Sequence, residues 1–163
     1  MIKIGVIGIG RMGKIHLENL SRKIPGVEVL AAVNPGVDGR KFAHELGISI
    51  VSDDVHVILE NDDIDAVLIA SPSSSHVDYT LAVARGGKAV FCEKPIDMSL
   101  EKAKQTIEII SGFGVPIRIA FNQRFDADFS RVKTENLKGR IRNLHIISRD
   151  PEPPSINFYK ILL

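Results

Sequence analysis

The chain has 163 residues, 44% of them apolar and 25% charged, the composition of an ordinary globular protein of about one domain. Its 21 basic and 20 acidic residues leave a net charge of +1, which removes the whole-chain electrostatic case for a nucleic-acid or acidic-membrane partner. A single cysteine, Cys92, excludes an internal disulfide framework and any CxxC zinc or redox site.

Apolar β-rich runs alternate with segments of helical period along the chain, the pattern of a parallel sheet with crossover helices. Ile2 to Ile7 reads as a strand, short and nearly continuously apolar as a strand buried on both faces should be. Arg11 to Arg22 reads as a helix with Met12, Ile15 and Leu20 on one face. Val27 to Val33 is a second strand, and Asp38 to Leu46 a second helix that Gly47 ends. Ile48 to Val51 is expected as a third strand, Asp53 to Glu60 as a short helix and Ala66 to Ala70 as a fourth strand. Ser73 to Arg85 follows as a helix with Val77, Leu81 and Ala84 inward, closed by Gly86 and Gly87, before a fifth strand over Ala89 to Cys92. Ser99 is a plausible N-cap for a helix whose apolar stripe is Leu100, Ala103, Ile107 and Ile110. Val115 to Phe121 supplies a sixth strand.

The pattern changes there. Phe121, Phe125 and Phe129 are spaced as one helical face, and residues 121–163 carry eight Lys/Arg against five Asp/Glu, a net of +3 that reads as a solvated face rather than a nucleic-acid surface. Ile141 to Ser148 is expected as one more strand, an apolar edge that invites pairing with a second copy. Asp150 to Pro154 is a stiff extended linker. The fold class expected is therefore α/β, a Rossmann-type doubly wound parallel sheet with helices on both faces, over 1–121, and a different, unfinished unit over 122–163. With no visible secretory leader and no apolar run near the roughly 20 residues of a membrane span, the expectation is a cytoplasmic protein with no membrane or metal partner.

Gly8-Ile9-Gly10-Arg11-Met12-Gly13 is a GxGxxG placed between an apolar strand and a helix, the context that dinucleotide binding demands. Gly8 would permit the tight turn, Gly10 the approach of a pyrophosphate and Gly13 the close packing of helix on strand, while Arg11 and Met12 open a helix whose N-terminus favours phosphate. A glycine-rich turn without a ligand is the competing reading. About 20 residues on, where an acidic group normally holds the adenosine ribose of NAD, stands Asn34. It lacks the charge that repels the 2′-phosphate of NADP, and Arg40 and Lys41 are candidate phosphate partners; the cofactor expected is NAD, with NADP possible. Lys94, after the fifth strand, is a candidate for hydrogen bonding and proton transfer to a substrate hydroxyl, or else a surface lysine. Cys92 reads as a small buried hydrophobe, and His76 as a histidine facing the same crevice or, as a lone histidine more often is, a structural one.

GIGRMG, the SPSSSH stretch at 71–76, FCEKP at 91–95 and AFNQRFD at 120–126, in this order, resemble the Gfo/Idh/MocA oxidoreductases. Ser148-Arg149-Asp150-Pro151 and the proline pair after it resemble the inositol 2-dehydrogenase branch. The resemblance implies that Lys94 sits beside the nicotinamide and helps activate an alcohol, that Glu93, Ser71, Pro72, Ser73 and His76 belong to the cofactor site, and that Asn122 and Arg124 line the cofactor and substrate region. It implies hydride transfer from a ring secondary alcohol of a small polyol or sugar. It also implies a second α/β domain bearing an Asp and, four residues later, a His, so the chain reads as stopping before part of the catalytic group. A dinucleotide-binding module without turnover, or an inactive shortened product, are the alternatives.

Overall fold

The computed structural model describes residues 1–136. The strand expected at Ile141 to Ser148 and the linker at 150–154 lie outside them, and with them the expected surface for self-association. The chain divides into two compact units, Met1–Phe121 and a second that starts at Asn122.

The first unit is one six-stranded sheet: β1 (Ile2–Ile7), β2 (Val27–Val33), β3 (Ile50–Ser52), β4 (Ala66–Ile69), β5 (Ala89–Cys92) and β6 (Ile117–Ile119). All five strand pairings are parallel and the order is β3-β2-β1-β4-β5-β6. Five helices connect them: α1 (Arg11–Arg22), α2 (Val37–Glu45), α3 (His56–Leu59), α4 (His76–Arg85) and α5 (Leu100–Ser111), with a turn of 3-10 helix at Ser73–Ser75 before α4. Neighbouring strand residues feed opposite cores, as a period of two requires. Val6 and Leu68 join Leu17 of α1 and Ala43 of α2 on one face. Ile7, Val67 and Ile69 join Ile58 of α3, Val83 of α4 and Ile110 of α5 on the other. The expected Rossmann-type sheet, helical on both faces, is what the chain forms.

Local signals set several helix ends. Gly47 follows α2 with φ +78° and Gly87 follows α4 with φ +75°, a backbone region that penalises any Cβ. The Ser99 side chain accepts the Lys102 N–H at 3.4 Å and caps α5 as expected.

Two helix faces differ from the expected ones. In α1 the buried side chain is Leu17, beside Gly13, while Ile15 is 48% exposed. In α5 the buried residues are Thr106 and Ile110, with Leu100 and Ile107 in solvent. In both cases a glycine or a threonine sits where an apolar count sees nothing, so the stripe drawn through the larger residues is rotated from the face that packs. The Phe121, Phe125 and Phe129 spacing is not one helix either. In the second unit Asn122–Phe125 is a 3-10 turn, and α6 (Ala127–Asn136) starts afresh because Asp126 Oδ1 accepts the N–H groups of Asp128 and Phe129 at 2.9 and 3.1 Å.

Candidate functional site

Register puts one row of residues on a common edge. Ile7 pairs with Val33 and with Ile69, and Ile69 pairs with Cys92. The next residues, Gly8, Asn34, Ala70 and Glu93, therefore all leave the sheet together at its carboxyl edge. The strand order reverses direction between β1 and β4, and such a switch point opens the crevice in which α/β sheets bind ligands.

On the β1 side the crevice is built from backbone. Gly8 has φ +92°, and a Cβ there would stand 2.5 Å from the Ser71 nitrogen. A Cβ on Gly13 would stand 2.0 Å from the Gly8 carbonyl oxygen, so the close packing of α1 on its loop admits no side chain. A Cβ on Gly10 would meet nothing within 4 Å: the space over that residue is open toward the crevice. Two crowded glycines and one facing empty space form a cradle that fits a pyrophosphate, with the unpaired first-turn N–H groups of α1 beside it. A cavity of about 360 Å³ adjoins the cradle, lined by Ile9, Gly10, Arg11, Lys14, Asn34 and the Gly36–Gly39 turn that opens α2. Met12, half-buried, follows Arg11 in the first turn of α1.

Asn34 fastens this corner. Its Oδ1 accepts the Ile9 N–H at 2.8 Å and its Nδ2 donates to the Gly36 carbonyl at 2.9 Å, so the glycine loop and the turn after β2 hang on one amide. Arg40 Nη1 donates to the Asn34 and Pro35 carbonyls at 2.8 and 2.6 Å. It serves the same turn from behind, and neither it nor Lys41 lines the cavity. Sequence reasoning passed over Lys14 and Asp38, which do line it.

On the β4–β5 side the crevice is built from side chains. Glu93 is 7% exposed, and its Oε1 accepts from His16 Nε2 on α1 at 2.7 Å, while Oε2 accepts the Lys94 N–H at 3.1 Å. His16 also stands edge-on to Phe91, with ring centroids 5.8 Å apart. Lys94 is exposed, and its ammonium has no partner among the described residues. His76 is 1% exposed, with Nδ1 2.7 Å from the Pro95 carbonyl and Nε2 2.8 Å from the Ser71 carbonyl. It stands between the loop after β5 and the loop after β4, with one ring nitrogen within hydrogen-bond distance of a carbonyl of each. In that β4 loop the Ser71 and Ser75 hydroxyls are 2.8 Å apart and Pro72 accepts from Ser75, while Ser73 opens the 3-10 turn. Cys92 is fully buried, and burial, aided by the charge of Glu93 and partly offset by Thr80, pushes its thiol up to about 11. A thiol in that state is inert. Asn122 and Arg124 both lie in the opening turn of the second unit, exposed.

Among the described residues no group of three His, Cys, Asp or Glu could hold a metal ion, and no helix is long and apolar enough to cross a membrane.

Comparison with known proteins agrees with this geometry. Residues 2–121 match the sequence model of the Gfo/Idh/MocA oxidoreductases, described as an oxidoreductase family with an NAD-binding Rossmann fold. Myo-inositol 2-dehydrogenase of Thermotoga maritima is 34% identical over 98% of this chain and 49% of its own length. The NAD(+)-dependent scyllo-inositol 2-dehydrogenase of Bacillus subtilis is 35% identical over 98% of this chain and 48% of its own. The crystal structure of scyllo-inositol dehydrogenase from Lactobacillus casei, with bound NAD(H) and scyllo-inositol, superposes with a TM-score of 0.80 at 34% identity, over 88% of this chain and 43% of that one. The chain thus spans about half the length of the curated relatives it matches.

Proposed function

The chain belongs to the Gfo/Idh/MocA oxidoreductase family with its NAD-binding Rossmann fold, and on that premise we propose that it is the dinucleotide-binding half of a dehydrogenase acting on a ring secondary alcohol of an inositol or sugar. The observation that carries this reading is the common edge: Gly8 of the glycine cradle and Glu93, which immediately precedes Lys94, leave one sheet at the same row of residues. In this reading Gly8, Gly10, Met12, Gly13 and the backbone N–H of Arg11 hold the pyrophosphate, and Asn34 stands at the adenosine ribose. Ser71, Pro72 and Ser73 line the middle of the crevice, braced by His76. When bound, NAD supplies the acceptor for hydride leaving the alcohol carbon. Lys94 hydrogen-bonds the substrate hydroxyl and helps to move the proton it loses, and Glu93 fixes the Lys94 backbone from within the cofactor site. The resemblance assigns Asn122 to the cofactor and Arg124 to the substrate, with residues 122–163 beginning a substrate and oligomerisation domain. Those assignments, and self-association through Ile141 to Ser148, belong to the proposal.

The test is to supply the purified chain with NAD and myo- or scyllo-inositol and follow reduced nicotinamide by absorbance, with NADH titrated in parallel by calorimetry. Turnover supports the dehydrogenase. NADH binding without turnover assigns a binding module instead, and the absence of binding sinks both. Sedimentation as a clean monomer at high concentration would remove the self-association.

A further inference from the structure

We propose that the site accepts the 2′-phosphorylated dinucleotide, with Arg11 and Lys14 as the pair that holds the extra phosphate; the inference rests on the dinucleotide reading above. A site restricted to the unphosphorylated cofactor places a carboxylate at the end of its second strand, where it takes the ribose hydroxyls and repels a phosphate. Asn34 occupies that place. It is neutral, and its amide is already engaged by Ile9 and Gly36, so it serves as a wall and offers no repulsion.

The cations at hand are not those nearest in sequence. Arg40 is committed to two carbonyls and stands 3.9 Å from Asp53, and Lys41 lines a separate cavity with His44 and Glu45. Arg11 and Lys14, three residues apart and hence neighbours on one face of α1, line the cavity outside Asn34. The Arg11 guanidinium is exposed and has no hydrogen bond or ion pair among the described residues. Lys14 lies 5.3 Å over the Phe42 ring, a contact that steadies the side chain without cancelling its charge. Asp38 is the one acidic side chain on the cavity wall. Two cations against one carboxylate leave a positive pocket, and Arg11 offers the planar fork that matches phosphate oxygens.

The experiment is calorimetric titration of the purified chain with NADH and with NADPH at low and at physiological salt. NADPH is expected to bind at least as tightly as NADH, with an advantage that shrinks as salt screens the charges. Arg11→Gln combined with Lys14→Gln should lower the NADPH-to-NADH affinity ratio by about tenfold or more, the scale of a lost charge-assisted pair. Taking the ratio on one and the same variant cancels any loss of folded protein. Asp38→Asn should raise it. NADH binding with NADPH more than about tenfold weaker, or a ratio unmoved by the double substitution, overturns this proposal and leaves the dinucleotide reading intact. Binding of neither cofactor overturns both.

Discussion

The two ends of the crevice are made in opposite ways. At the β1 end the backbone does the work, and the decisive atoms are the ones that glycine lacks: Gly8, Gly10 and Gly13 lie within six consecutive residues and each answers a steric demand of its own. At the β5 end side chains do it, and their partners come from far away. His16 reaches Glu93 across 77 positions, and His76 reaches Pro95 across 19. A site can thus be specified locally where it needs room and non-locally where it needs a side chain held still. The first kind tolerates no added atom. The second tolerates no lost one.

Substitutions at each end test that contrast. The largest effect is expected for Lys94→Met: where the chain turns over an inositol substrate as proposed, the substitution should lower that turnover about 10²- to 10⁴-fold, the usual weight of a proton-transfer group. Being exposed, Lys94 should leave the stability within about 0.5 kcal/mol, and a collapsed thermal transition would mean that the lysine is structural. Gly13→Ala comes next. With a Cβ 2.0 Å from the Gly8 oxygen and only backbone to move, it should cost about 3 kcal/mol or more by urea unfolding, the upper range of overpacking, and abolish NADH binding; near-normal stability would end the steric account of the cradle. His16→Ala should cost about 2 kcal/mol, because Glu93 is left buried and loses a charge-assisted bond, and His16→Gln should restore part of it. If His16→Ala proves neutral, the claim that distant side chains fix the lysine end fails.

The smallest effect concerns Cys92. A thiol raised from 9.0 to about 11 in the folded chain contributes stability that is complete below pH 9.0 and fades as pH rises toward about 11, since the unfolded chain then loses its proton first. Cys92→Ala should flatten that part of the alkaline unfolding profile. Native protein should also resist thiol alkylation that unfolded protein undergoes, and rapid native labelling would contradict the burial.

The same contrast explains what was legible in the sequence. Strands β1, β2 and β5 and helix α1 were readable to the residue, because a strand buried on both faces is a plain apolar run and because glycine motifs carry their geometry within a few positions. Lys94 and His76 were visible as candidates, but the identity of their supports was not. Nothing near His16 in the chain announces Glu93, and only the folded chain brings the two, 77 positions apart, to 2.7 Å. Asn34 was placed at the ribose from its distance to the glycines, while its role as the clasp between Ile9 and Gly36 needed coordinates. Helix faces were misread where Gly13 and Thr106 do the packing, since small or polar residues carry no weight in an apolar count.

The bond between His16 and Glu93 also bears on how such a protein can be recombined. The segment from β1 to the turn after β2 resembles a portable cassette, with cradle, helix and the Asn34 clasp all inside the first 36 residues. It is not self-contained, because half of a partly buried pair travels with it and the other half stays behind in the loop after β5. A chimera with its crossover anywhere between residues 36 and 93 inherits a matched pair only when both parents bring the same partners. On the proposed reading, cofactor preference would be transplanted by exchanging side chains on the cavity wall, whereas exchanging the whole cassette would put the anchorage of the lysine at risk.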